Sequence, residues 1–123
     1  MNAVLLLAIV ADELEERAIE IAQGEGAHGV TVVRAKGRGF PEHMTFFGLT
    51  HRGLEKALMC VLDRDTAERI ATRLNLELDL LAPFQGLAFC LGIDRTEGVD
   101  VDAIGRYIAA HRSSGTLATD DDS

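Results

Sequence analysis

Basic charge is scarce in this chain: 12 lysines and arginines stand against 20 aspartates and glutamates in 123 residues, a formal net charge of -8. Neutralising nucleic-acid phosphates takes a basic stripe, and here the arginines are scattered among acids, so DNA and RNA are not expected partners. Cysteine is scarce as well. Cys60 and Cys90 form no Cys-x-x-Cys spacing and each sits in an apolar run, so both read as reduced core residues of a cytosolic protein. No apolar run is long enough to span a bilayer. Residues 3–11 have about half the ~20 residues a spanning helix needs. They lack a preceding basic segment and run at once into Asp12 and Glu13. This run reads as a buried strand rather than a signal, no lipidation motif accompanies it, and direct membrane insertion is not expected.

The residues that are present, 47% of them hydrophobic, suit one domain with a single core. Residues 4–10 are continuously apolar, as a central strand buried on both faces would be. Asp12 and Glu15 have capping-box spacing ahead of a helical stripe of Leu14, Ala18, Ile21 and Ala22, which Gly24, Gly26 and Gly29 close. Residues 30–35 and 54–62 predict the second and third strands. Asp65 and Glu68 repeat the capping spacing before a second helix that carries Ala67, Ile70, Ala71 and Leu74 on one side. Residues 75–81 alternate leucine with polar residues, a short edge strand or an extended connection that Pro83 stops.

Residues 86–93 predict a last strand with Leu87, Phe89, Leu91 and Ile93 on one face. Ala88, Cys90 and Gly92 form the other, small enough for a helix to pack closely. Asp102 predicts the cap of a short final helix ending near Ala110. The domain then covers residues 1–112, and residues 113–123 read as a flexible acidic tail. The order predicts an α+β, ferredoxin-like βαββαβ sandwich with an antiparallel sheet and a short C-terminal helix. Two helices cover only one face of such a sheet, so oligomerisation is expected to bury the other.

Residues 37–53 separate the second and third strands. Gly37 and Gly39 let backbone N–H groups approach a ligand while Lys36 and Arg38 bring positive charge, which makes either an anion cradle or a plain turn with a bulge. Phe40, Met44, Phe46 and Phe47 lie among His43, Thr45 and His51, as a partner surface or as anchors back onto the body. Glu42, His43 and His51, with His28 or Asp94, could ligate a metal. None has helical i,i+4 ligand spacing, and solvated surface groups are the alternative.

The run Gly29-Val30-Thr31-Val32-Val33-Arg34-Ala35-Lys36-Gly37-Arg38-Gly39 resembles the second strand of the nitrogen-regulatory P-II signalling family and the root of its target-contacting loop. The resemblance extends over residues 3–100. Gly86-Leu87-Ala88-Phe89 and Arg95-Thr96-Glu97-Gly98 look like the family's closing strand and Arg-Thr segment. It implies a cytoplasmic homotrimer, non-enzymatic, with its open sheet faces packed together and an adenine nucleotide (AMP, ADP or ATP) between subunits, with magnesium as a companion ion. Carried over by position, Thr31 would lie near the adenine. Lys36, Gly37, Arg38 and Gly39 would lie near the phosphates, Gly86 in the facing loop, and Arg95 would reach in from the closing strand. Phe40, His43, Met44, Phe46, Phe47 and His51 would meet a target protein such as a membrane transporter, channel or enzyme.

The chain also departs from that family. Phe40-Pro41 stands where Arg-Gln follows the family's Gly-x-Gly, which points away from 2-oxoglutarate sensing. Ala82-Pro83-Phe84-Gln85-Gly86-Leu87 replaces a glycine-rich phosphate loop with its lysine, and Ile93 leaves Arg95 without a second arginine. A weaker grip on triphosphate follows, so AMP, ADP or a cyclic nucleotide is as suitable as ATP. The only tyrosine, Tyr107, lies outside residues 37–53, which excludes switching by nucleotidylation of a loop tyrosine. Two rival readings remain. One is a metal-binding trimer like the copper-tolerance CutA family. The other is a small nucleotide-hydrolysing enzyme with Glu42 or Asp94 orienting water, although no Ser, Cys and His set forms a nucleophile–base signature.

Overall fold

The computed structural model describes residues 3–27, 29–36, 54–82 and 85–119. Its first strand, β1 (Ala3–Ala11), buries Val4, Leu6, Ala8 and Val10 and leaves Leu5, Leu7 and Ile9 half-buried on the opposite side. With β2 (Thr31–Lys36), β3 (Leu54–Asp63) and β4 (Gly86–Gly92) it forms a four-stranded sheet of order β2-β3-β1-β4. Every neighbouring pair is antiparallel. This is the expected ferredoxin-like order, in which each helical crossover returns the chain to a strand that pairs antiparallel with a neighbour it does not follow in sequence.

Register carries the alternation across the sheet. Leu6 stands opposite both Cys60 and Cys90, and Val4 and Ala8 stand opposite Leu62 and Leu58, so one face is a continuous apolar layer. Helices α1 (Glu15–Gly24) and α2 (Arg64–Glu77) pack on it through Ala18, Ile21 and Ala22 and through Thr66, Ala67, Ile70 and Leu74. Cys60 and Cys90 are two strand spacings apart, about 10 Å, beyond the reach of a disulfide. Burial pushes the Cys60 thiol up to about 11, so it stays protonated and unreactive at neutral pH, in line with its reading as a reduced core residue. A third helix, α3 (Val101–Thr119), inserts Ile108 into the core.

Several expected boundaries move, each for a physical reason. Asp12 and Glu15 form no capping box. Residues Asp12–Leu14 make a 3-10 turn without a side-chain cap, because both carboxylates are drawn to Lys56. In α2 the cap is Asp63 rather than Asp65: the Thr66 N–H donates to Asp63 Oδ2 at 3.0 Å, while Asp65 pairs with Arg69 one turn on. Residues 75–81 are not a strand. α2 runs to Glu77 and ends in a turn that buries Leu78 and Leu80, with Asp79 at φ 54°. α3 starts earlier and extends further than the sequence pattern indicates, and its N-terminal cap is Asp100 rather than Asp102, through the Ala103 N–H at 3.0 Å. β1, expected to be buried on both faces, is covered by helices on one only.

The outer surfaces of the two sheet-covering helices are stitched by charge. Glu25, just past the end of α1, accepts from Arg69 Nε and Arg73 Nη1 at 3.2 Å each, and Glu77 accepts from Arg73 and Arg17. The cations beside Glu77, Arg73 foremost, hold its carboxyl below the usual carboxylate range.

Gly86 is fixed by the sheet itself. Its φ is +139°, and a Cβ there would lie 2.2 Å from the Ile9 carbonyl oxygen and 2.8 Å from Val10 Cα. Gly86→Ala is therefore expected to destabilise the fold by about 2–4 kcal/mol, the range of a strained backbone plus a core clash. Gly29→Ala, where a Cβ meets nothing within 4 Å, should change stability by less than about 0.5 kcal/mol. Urea midpoints of the two variants measure the contrast, and equal midpoints would refute it.

Candidate functional site

The expected nucleotide residues that fall within the described chain divide between the two edges of the sheet. Thr31 opens β2 opposite Met59, and Lys36 closes it opposite Leu54. Gly86 opens β4 at the same end of the sheet, opposite Val10, but on the far edge. Three strand spacings separate the edges, about 14 Å. Arg95 follows β4 at the other end, about 20 Å along the strand from Gly86. Within one chain these groups do not converge. Gly37, Arg38 and Gly39, and with them Phe40, Glu42, His43, Met44, Phe46, Phe47 and His51, lie outside the described residues, as does His28. Among the described residues no metal-binding cluster occurs.

The charges near each edge differ. Arg95 is 81% exposed and donates from Nε to Glu97 Oε2 at 3.0 Å, in a shallow polar recess shared with Asp94, Thr96, Asp100 and Asp102. An exposed pair of this kind is worth little, and the three aspartates of the recess mean that an anion reaching Arg95 would have to approach from the solvent side. At the opposite end, Lys56 is 20% exposed and donates to Asp12 Oδ1 at 2.8 Å and Glu15 Oε1 at 2.7 Å. Those two hydrogen bonds, with desolvation opposing, hold the Lys56 ammonium above the ordinary lysine range. Arg34 stands directly across from Lys56 on β2, and burial raises the neighbouring Glu55 carboxyl. Sequence reasoning missed Lys56 and Arg34 as partners. The available signal was Lys56 on the same face of β3 as Leu58, Cys60 and Leu62, where a lysine requires a counter-ion.

A predominantly apolar cavity, about 590 Å³, opens where β2 stops short along β3. It is lined by the α1–β2 connection (Gly26, Ala27 and Gly29), by Thr31, Met59, Val61 and Leu62, and by the inner side of α3 with its preceding segment. Thr31 is thus the one expected nucleotide residue among the described ones that lines this cavity. On the sheet face turned away from α1 and α2, Leu5, Leu7 and Ile9 align with Val61, Met59 and Ala57 on one side and with Leu91, Phe89 and Leu87 on the other. Leu87, Phe89 and Leu91 there are all more than a third exposed, a contiguous apolar row of the kind that marks an interaction surface.

No family model matches the chain, and no curated protein matches it. Solved structures do. A proposed PII-like signaling protein from Thermus thermophilus is 23% identical, with a TM-score of 0.57 over 76% of this chain and 90% of its own. CPII from Thiomonas intermedia, solved bound to ADP, AMP and acetate, is 16% identical, with a TM-score of 0.60 over 77% of this chain and 89% of its own. At these identities the likeness is one of fold: the chain has the α+β architecture of PII-like signalling proteins. Among the described residues no helix is long and apolar enough to cross a membrane.

The Lys56 clamp gives a pH signature. Its contribution is present below the raised lysine value and is lost as pH climbs through it, so it is complete at pH 7. Lys56→Met leaves Asp12 and Glu15 repelling each other without their counter-ion. The variant should lose urea stability at pH 7 and lose less at a pH above the raised lysine range, where the wild type gives up the ammonium itself. The same loss at both values would show that the clamp contributes through packing alone.

Proposed function

We propose that this chain is a P-II-like regulatory protein that binds an adenine nucleotide between subunits of a cytoplasmic homotrimer and reports it to a target protein through residues 37–53. One observation carries the reading. The candidate ligand groups sit on opposite edges of a sheet whose uncovered face is apolar. Copies packed by that face around a three-fold axis bring the β2 edge of one subunit, with Thr31 and Lys36, against the β4 edge of the next, with Gly86 and Arg95. Groups separated by the sheet's width in one chain then become neighbours across a cleft. The shared fold with CPII, a protein solved with ADP and AMP, supports the choice of ligand.

The phosphates would meet Arg38 and Lys36 from one subunit and Arg95 from the other, with glycine N–H groups at the loop root. AMP, ADP or a cyclic nucleotide suits this set as well as ATP, since the chain lacks the family's phosphate-loop lysine. Magnesium would accompany the polyphosphates. The aromatic residues Phe46 and Phe47 would form the docking surface for the target, a transporter or an enzyme, and the protein itself would catalyse no reaction.

Light scattering on the wild type is expected to return three times the 13.3 kDa chain mass, and Phe89→Glu should release monomer; a wild-type monomer would refute the assembly. Isothermal titration with AMP, ADP, ATP and cyclic AMP, with and without magnesium, should show micromolar binding of at least one. Arg95→Ala or Arg38→Ala should weaken it about tenfold or more, as expected for a charge-assisted hydrogen bond. A trimer that binds none of the four would overturn the ligand reading. Replacing both Phe46 and Phe47 by alanine should abolish capture of the target while leaving the trimer intact.

A further inference from the structure

The cavity beneath α3 has a composition that selects its occupant. Among the described residues that line it, only Thr31 and Tyr107 carry a polar side-chain group, and none carries a charge. A phosphate or carboxylate would be stranded there without a counter-ion, whereas an uncharged ring would give up only the hydrogen bonds that its edge makes to water. Its volume, about 590 Å³, lies within the range of small-molecule sites. The cavity adjoins the start of β2, so a ring held in it would leave its ribose and phosphates at that edge of the sheet.

Tyr107 is placed for such a ring. It lines the cavity and is 41% exposed, and His111, one turn on, stacks on it with centroids 3.6 Å apart and planes inclined by 26°. The His111 ring also lies 2.9 Å from the Tyr107 carbonyl through Nδ1, which fixes the two rings relative to each other. The helix that carries them is seated by Ile108, whose Cγ2 and carbonyl oxygen lie 3.0 and 3.1 Å from where a Cβ on Gly26 would stand. Gly26, at φ +107°, is the notch that lets α3 approach the α1–β2 connection at all.

We infer that α3 belongs to the ligand site, with Tyr107 as the stacking wall for a flat, uncharged heteroaromatic ring, the base of an adenine nucleotide, held in the cavity with Thr31, Met59 and Val61. The inference rests on the nucleotide-binding reading above and extends it to a helix that no motif in the sequence connects with binding. Aromatic rings offset-stack on nucleobases without regard to base identity, so Tyr107 supplies affinity while Thr31 offers the polar contact that orients the base.

Tyr107 is the only tyrosine, so the full-length chain labelled with ¹³C-tyrosine gives one set of ring signals. AMP should shift them along a curve matching the dissociation constant from calorimetry, and ribose 5-phosphate, which has no base, should not. Tyr107→Ala should weaken AMP about tenfold, within the range for loss of a base–aromatic stack, while Tyr107→Phe retains affinity. Because Tyr107 is half-exposed, the alanine variant should fold, which its circular dichroism and mass will verify. If the wild type binds AMP with the ring signals unmoved, or if Tyr107→Ala binds AMP as tightly as the wild type, the inference falls and the nucleotide-binding reading stands. If the wild type binds none of AMP, ADP, ATP and cyclic AMP, both fall.

Discussion

β1 is the strand on which the rest of the molecule is built. It lies between β3 and β4, pairs antiparallel with both along nearly its whole length, and presents alternate residues to two different environments. Slipping it by one residue would move Val4, Leu6, Ala8 and Val10 to the open face and bring Leu5, Leu7 and Ile9 under the helices, so its register and the core are one choice. Gly86 enforces the same register from the side, because only a residue without a Cβ fits beside the Ile9 carbonyl. The structural demand on Gly86 is complete without any ligand. A role in binding would be added to it.

Much of this architecture was legible in the sequence because burial on one side writes a period into the chain. The stripes of α1 and α2 and the large and small faces of β4 all appear where alternation and helical spacing put them. Local rules failed where a distant charge outweighed them. Asp12 and Glu15 have the spacing of a capping box, yet Lys56, on a strand that sequence cannot place beside them, holds both. Residues 75–81 mislead for another reason. Leucines alternating with polar residues fit a strand, but Leu74 and Leu78 are also one helical turn apart, and the core beneath α2 decides in favour of the helix.

The candidate site was less legible than the fold, because its parts come from elements that meet only in three dimensions. Thr31 could be marked by motif, and it does line a cavity. Tyr107, Ile104 and Val99 reach the same cavity from a helix and connection with no motif of their own, and nothing short of the packing of Ile108 on Gly26 reveals that they belong there. The division of Lys36 and Gly86 between opposite edges was equally hidden, since strand order is a property of topology and not of any segment. Within a single chain the two groups stand three strand spacings apart, about 14 Å.

The junction between β3 and α2 has a mechanical consequence. Asp63 ends the strand and caps the helix, so the two are joined without a connecting loop. β3 is also paired along its length with β1, and from Leu54 to Met59 with β2. The strand to which residues 37–53 return is thus a clamped beam, unable to slide without breaking the sheet's register or tilting α2. A pull on Leu54 is therefore borne by the paired sheet and by α2 together rather than taken up at one loose joint.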